Sequence, residues 1–251
     1  MPVLTLAAVR DVRQLSASVW KMTLYSPELA RPAKPGQFVH IKCGEGNFLR
    51  RPISVCNAQG DTLTLVFERK GAGTRYLSER RAGEKLDILG PLGNGFELRK
   101  GRYLLVGGGI GVPPLLYAAK SAESADAVLG FRTKDAVILE DEFRAACGEV
   151  TVATDDGSYG TYGTIAAPLR EMLASGGYAG VLACGPRAML RAVAEICAEH
   201  SVPCQVSMEE RMGCGVGACL VCACKTREGG ARAMRRVCKD GPVFWAEEVC
   251  W

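Results

Sequence analysis

The chain has 251 residues and 26.8 kDa, with 48% hydrophobic and 23% charged residues and a formal net charge of +4 at pH 7. That length holds two ordinary domains or two plus a small appendage. The basic pairs Arg50–Arg51, Arg80–Arg81 and Arg235–Arg236 form no long stripe of the kind nucleic-acid binding uses; no run approaches the about 18 uninterrupted apolar residues of a spanning helix. The opening decapeptide has neither a charged leader nor a cleavage pattern, so a cytoplasmic protein without nucleic-acid or membrane partners is expected.

Residues 1–98 read as an antiparallel β-barrel. Period-two alternation or β-branched content marks strands at Val19–Tyr25, Gln37–Lys42 and Thr62–Glu68, with Pro35-Gly36, Gly44, Gly60 and Gly71 as punctuation. Many short strands separated by turn signals argue for a small barrel. Two segments in it could meet a cofactor. Arg51-Pro52-Ile53-Ser54 opens a strand; an arginine there can pair with a pyrophosphate, and a serine can hydrogen-bond a flavin ring nitrogen. Gly71-Ala72-Gly73-Thr74 is a small-residue loop with backbone donors suited to phosphate. An ordinary strand edge and an ordinary turn would use the same residues.

The pattern changes over residues 99–202. Apolar strands at Tyr103–Val106, Ala127–Phe131, Glu149–Ala153 and Gly180–Cys184 alternate with helical stretches at Pro113–Ser121 and around 136–146, 163–175 and 186–199. Such alternation predicts a doubly wound parallel sheet. Gly107-Gly108-Gly109-Ile110-Gly111 lies between the first strand and the first helix, where a glycine backbone can close on a pyrophosphate at a helix N-terminus. It departs from the G-x-G-x-x-G fingerprint, because Gly109-x-Gly111-x-x-Pro114 ends in proline. Cys184-Gly185-Pro186 ends a later buried strand, the position at which open sheets bind ligands, and is a candidate nicotinamide pocket or a plain turn. Phe131, Arg132 and Lys134 follow a strand where adenosine-ribose contacts belong, which leaves NADH against NADPH open.

Residues 203–251 hold seven of the twelve cysteines. Cys214-x4-Cys219-x2-Cys222, with Cys238 further on, has the plant-type [2Fe–2S] order. A glycine-rich loop can wrap two bridged irons with three thiolates while the fourth returns from elsewhere. The alternatives are zinc or unliganded thiols; zinc knuckles favour repeated Cys-x2-Cys pairs, and Cys219/Cys222 has no partner pair. Cys224 is read as non-ligating, Cys204 and Cys250 as bystanders, and Cys43, Cys56, Cys147 and Cys197 as small buried residues.

Taken in this order, the signals resemble the ferredoxin-reductase-like superfamily and, within it, the electron-transfer subunits of class 1B dihydroorotate dehydrogenases. The resemblance runs the length of the chain. It is carried by Arg51–Ser54, Gly73-Thr74, Gly107–Pro114, Asp155–Gly160, Cys184–Pro186, Glu210–Cys219 and Asp240–Phe244, and it departs at Ile53, where the superfamily usually has an aromatic residue. It implies an α+β multidomain chain: an antiparallel β-barrel FAD domain (1–98), a doubly wound α/β NAD domain (99–202) and a small C-terminal [2Fe–2S] domain (203–251). It implies FAD contacts at Arg51, Pro52, Ile53, Ser54, Val66, Phe67, Glu68, Gly73 and Thr74. NAD(H) contacts are expected at Gly108, Gly109, Gly111, Cys184, Gly185 and Pro186, and cluster ligation by Cys214, Cys219, Cys222 and Cys238. The implied partner is an FMN-containing catalytic subunit that oxidises dihydroorotate to orotate in pyrimidine biosynthesis, assembled as a heterotetramer of two plus two. A diaphorase subunit of a sulfhydrogenase, a ferredoxin-linked reductase and a non-enzymatic zinc-knuckle module are the rival readings.

Overall fold

The computed structural model describes residues 2–251. Six strands close a barrel: β1 (Val3–Gln14), β2 (Val19–Tyr25), β3 (Phe38–Ile41), β4 (Arg51–Gln59), β5 (Thr62–Glu68) and β6 (Lys85–Leu92). Their order is β1-β2-β5-β4-β3-β6, each pair antiparallel. Strand side chains alternate between the two faces of the wall. Met22, Leu24, Val39, Ile41, Val55, Leu63, Leu65 and Ile88 fill the interior. Two short helices, α1 (Pro27–Ala30) and α2 (Ala72–Ser78), lie in the connections. The alternation rule does not reveal β1. That strand buries Ala7 and Val9 while Leu4 and Leu6 stay 64% and 63% exposed, and a bulge between Val9 and Asp11 breaks its period.

The second unit is a seven-stranded sheet. The remaining strands are β7 (Arg102–Gly108), β8 (Ser124–Phe131), β9 (Val150–Thr154), β10 (Thr161–Tyr162), β11 (Tyr178–Cys184), β12 (Cys204–Ser207), β13 (Ala223–Glu228), β14 (Ala231–Arg236) and β15 (Val243–Trp245). The sheet runs β10-β9-β8-β7-β11-β12-β15 and is parallel except for β15. Its helices are α3 (Val112–Ser121), α4 (Glu140–Ala146), α5 (Ala166–Ser175) and α6 (Arg187–Glu199). The strand order reverses between β7 and β11, which opens a crevice at their carboxyl ends. Among the described residues no helix is long and apolar enough to cross a membrane.

The boundary expected at residue 203 moves. Cys204–Ser207 and Val243–Trp245 pair with each other and extend the NAD-type sheet, so the cysteine segment is an excursion between two of its strands. Strands of four and three residues are too short to show a period, which is why the sequence pattern hides them. The excursion carries its own hairpin, β13–β14. One continuous core ties the parts together. Phe38 and Leu92 of the barrel, Val106 and Ala183 of the sheet, and Cys222, Cys224 and Cys238 of the excursion all belong to it. Each large apolar side chain buried there is worth about 2 kcal/mol. Tyr117 Oη of α3 donates to Ala33 O across the barrel–sheet junction at 2.9 Å, and Lys21 of β2 pairs with Glu142 of α4 at 3.3 Å.

Candidate functional site

The cysteine loop is already shaped around its sulfurs. Val216, Ala218 and Cys219 N–H groups donate to Cys214 Sγ at 3.4, 3.3 and 3.4 Å. Gly217 N–H donates to Cys238 Sγ at 3.1 Å, and Cys238 N–H to Cys222 Sγ at 3.4 Å. Gly215 and Gly217 make this possible with φ of +73° and +83°, a region that side chains avoid. Burial alone would raise the Cys214 thiol, but the donors from Cys219, Val216 and Ala218, with the Cys219 thiol beside it, bring it down to about 6. Cys238 goes the other way: burial, then the adjacent Cys222 thiol, push it up to about 12. Positive irons would reverse that, since a coordinating thiol is deprotonated outright.

The four thiols stand as two neighbouring pairs, Cys214 beside Cys219 and Cys222 beside Cys238. The first pair is partly exposed and the second buried. Among the described residues no three His, Cys, Asp or Glu side chains converge as ligands of one ion would. Two pairs under backbone donors suit two irons with two thiolates each, and the residues fit a [2Fe–2S] centre. Cys224 lies buried on β13 opposite Arg235, outside both pairs. Cys43, Cys56 and Cys197 are buried as expected, whereas Cys147 is only half-buried because it caps the end of α4.

Three residues not expected as site residues lie against this loop. Arg236 Nη1 donates to Gly217 O at 3.2 Å, and its other guanidinium nitrogens donate to Asp240 at 2.9 and 3.0 Å. The third is His40 on β3. Its ring is fully buried and neither nitrogen has a hydrogen-bond partner, a state that costs about 1–3 kcal/mol. Burial, then the charge of Arg50, push His40 down to about 4; the carbonyls of Cys214 and Arg50 lie near without hydrogen-bonding geometry and oppose this weakly. An arginine two residues before a cluster cysteine is a weak sequence signal, and a lone strand histidine is none.

The flavin candidates converge on one wall of the barrel. Arg51 begins β4 and its side chain folds onto α2: a Cβ on Gly73 would stand 2.6 Å from Arg51 Nε. Thr74 Oγ1 accepts the Lys70 and Gly71 N–H groups at 2.9 and 3.2 Å and so fixes the start of α2. Ser54 lies opposite Phe38 and Pro52 opposite His40 in the β3–β4 ladder. Val66, Phe67 and Glu68 end β5, the strand beside β4. Ile53 is buried in the barrel core, so no aromatic face is offered at that position.

The nicotinamide candidates meet at the sheet crevice. Gly107 pairs with Cys184 in register, and a Cβ on Gly185 would lie 3.1 Å from Gly108 N. Gly111 packs on the Cys184 carbonyl, and Gly108 on Met189 Sδ. Those glycines serve the close approach of β7 and β11, while Gly109, at φ +53°, faces open space. The Cys184 thiol is raised to about 12, chiefly by burial, against a Ser207 hydrogen bond that lowers it. Phe131 is buried, and Arg132 and Lys134 are exposed beyond β8.

An antiparallel flavin-type barrel, a doubly wound nucleotide-type sheet and a paired-thiol loop define a flavin reductase of the ferredoxin-reductase-like class with an iron–sulfur segment. The same architecture occurs in a solved NADH-dependent reduced ferredoxin–NADP oxidoreductase, studied for flavin-based electron bifurcation. That structure shares 31% identity and a TM-score of 0.88, with 98% of this chain and 90% of the other covered. Residues 209–250 match the iron-sulfur cluster binding domain of dihydroorotate dehydrogenase B. The dihydroorotate dehydrogenase B (NAD(+)) electron transfer subunits of Caldanaerobacter subterraneus subsp. tengcongensis and Bacillus caldolyticus are 43% and 44% identical, over 97% and 96% of each chain. This chain belongs to the family of dihydroorotate dehydrogenase B electron transfer subunits.

Proposed function

We propose that this chain passes electrons between an FMN-containing catalytic partner and NAD(H) by way of a [2Fe–2S] cluster and FAD, in the oxidation of dihydroorotate to orotate. The observation that carries the reading is the aiming of five backbone N–H donors at the Cys214, Cys222 and Cys238 sulfurs, in a chain that aligns end to end with electron transfer subunits. The 31% likeness to a ferredoxin–NADP oxidoreductase is weaker than this alignment and favours no second reading.

When bound, FAD exchanges a hydride with NAD(H) and single electrons with an iron–sulfur centre. The chain's part is placement. Arg51, folded on Gly73, would hold the FAD pyrophosphate, with Pro52, Ile53, Ser54, Val66, Phe67, Glu68 and Thr74 around the flavin. Gly108, Gly109 and Gly111 would receive the NAD(H) phosphates and Cys184, Gly185 and Pro186 the nicotinamide. Cys214, Cys219, Cys222 and Cys238 would hold the irons. No side chain need act as an acid or base; orientation is the contribution. The barrel (1–98) would carry FAD and the sheet NAD(H), with the cluster segment set between Ser207 and Val243.

The family name carries a catalytic partner. An apolar rim of Val216, Leu220 and Val221, 46%, 62% and 57% exposed, flanks Cys219 and suits docking at the accessible thiol pair. A two-plus-two assembly follows the family pattern, and a cytoplasmic setting keeps the thiols reduced. The test is anaerobic absorption and EPR of the full chain, loaded with FAD and iron, before and after NADH. NADH should reduce both centres, and serine at position 214, 219, 222 or 238 should abolish the reduced iron signal. Dihydroorotate turnover by the isolated chain would overturn the assignment.

A further inference from the structure

His40 stands where the two halves of the electron path meet. Its strand, β3, is hydrogen-bonded on one side to the flavin segment, with His40 directly opposite Pro52 and Ile41 opposite Arg51. On the other side His40 lies opposite Leu89 of β6. Val39 and Ile41 turn into the barrel core, so strand alternation sends His40 outward. There its ring meets the cysteine loop: a Cβ on Gly215 would lie 2.6 Å from Nδ1 and 3.2 Å from Cε1. The contact is with the residue that follows Cys214. A fully buried imidazole with both nitrogens unpartnered is unusual, because buried polar groups almost always find a partner. The Cys214 and Arg50 carbonyls lie near without hydrogen-bonding geometry, and the ring edge faces the wall of the cysteine loop. The Cys214, Cys222 and Cys238 sulfurs already receive five backbone N–H donors, three of them on Cys214 of that loop, so the site is built to accept hydrogen bonds.

We propose that His40 is a positioning residue for the iron–sulfur centre: its ring N–H facing Gly215 donates to a sulfur of the occupied loop, which binds the loop to the flavin strand and raises the centre's electron affinity. Hydrogen bonds to cluster sulfurs are among the levers that set such potentials. The inference rests on the four cysteines holding a [2Fe–2S] centre.

The chain has two histidines, which makes the test selective. His200 caps the far end of α6, with Nδ1 3.0 Å from Ile196 O. Full-length protein carrying FAD and cluster is prepared with 15N-histidine, reduced anaerobically and examined by pulsed EPR. A histidine nitrogen should couple to the reduced centre in the wild type and in H200Q, and the coupling should vanish in H40L. In a redox titration H40L should shift the electron about tenfold away from the cluster, which is about 59 mV for a one-electron couple. H40Q keeps a donor and should restore most of that shift. If H40L does not retain FAD and iron, the labelled wild type and H40Q decide alone. A two-iron signal with no histidine coupling, or an unchanged potential in loaded H40L, overturns the role of His40. Absence of any two-iron signal in the wild type would instead overturn the cluster assignment, and this inference with it.

Discussion

Gly215 meets two demands that no other residue type satisfies. Its φ of +73° costs a side chain about 1 kcal/mol, and a Cβ would drive into the buried His40 ring at 2.6 Å. The ring has no room to retreat, since His40 is fully buried. G215A should therefore fold and bind FAD but fail to close the loop, so the Val216 and Ala218 donors miss Cys214. The expected outcome is an iron-to-FAD ratio less than half that of the wild type, read by metal analysis after anaerobic reconstitution. C224S, changed on a strand outside both thiol pairs, should keep full iron content; an iron loss equal to that of C238S would show the pairs are misassigned. At this scale the four expected ligands were legible as a spacing, and the residues around them were not. Cys214, Cys219, Cys222 and Cys238 announce themselves because three share one loop, and chemistry fixes the spacing. His40 carries no local signal, because its place beside Gly215 exists only once distant segments meet.

Among the elements, the legible ones are those whose burial follows a period. β2 and β5 match their expected spans because Met22 and Leu24, and Leu63, Leu65 and Phe67, turn every second side chain into the barrel core, even though Val19 and Val66 are buried on the other face. The parallel strands β7 and β11 show as apolar runs because both faces are covered. β1 reverses the pattern, and β12 and β15 are too short to carry one. The parallel sheet also hides a polar anchor. Asp126 of β8 is buried, accepts the Tyr178 hydroxyl at 2.8 Å and the Glu149 N–H at 2.8 Å, and pairs with Arg102 at 2.5 Å. Burial first, then the Asp126 hydrogen bond and charge, raise Tyr178 to about 12. The fold thus prefers the protonated phenol. Its contribution is complete below the unfolded value of about 10 and is lost as pH rises through about 12. Burial raises Cys56 and Cys147 to about 12 in the same sense, so stability should fall on the alkaline side from about pH 9 upward. Y178F should cost about 1 kcal/mol at pH 8, because Asp126 loses a donor. It should also lose less stability than the wild type between pH 10 and 12. Urea unfolding of the FAD-loaded chain at both ends of that range decides it, and parallel wild-type and Y178F curves would refute the account.

For the molecule as a whole, the shared core makes barrel, sheet and cysteine excursion one packed body, with the exposed thiol pair at its surface. On the proposed function, electrons cross from that surface to the partner, and Leu220 beside the pair is the residue to test. It follows Cys219 at φ +62°, a backbone region in which glycine is favoured and leucine is strained, yet it keeps a large side chain 62% exposed. Leucine there carries backbone strain and an exposed apolar surface, which burial against a partner would offset. Leu220, with Val221 and Val216 beside it, fits burial by the catalytic partner. A leucine fully buried in such an interface contributes about 1.5–3 kcal/mol, or roughly tenfold or more in affinity. L220G separates the two effects because they have opposite signs. The variant should leave the reduced-state EPR spectrum and NADH oxidation with a small artificial acceptor unchanged, and should not lower the unfolding temperature. With the dihydroorotate-oxidising subunit present, its affinity should drop at least about tenfold, and dihydroorotate-dependent NAD+ reduction should recover at high partner concentration. Equal partner affinity for L220G and the wild type would place the docking face elsewhere on the chain.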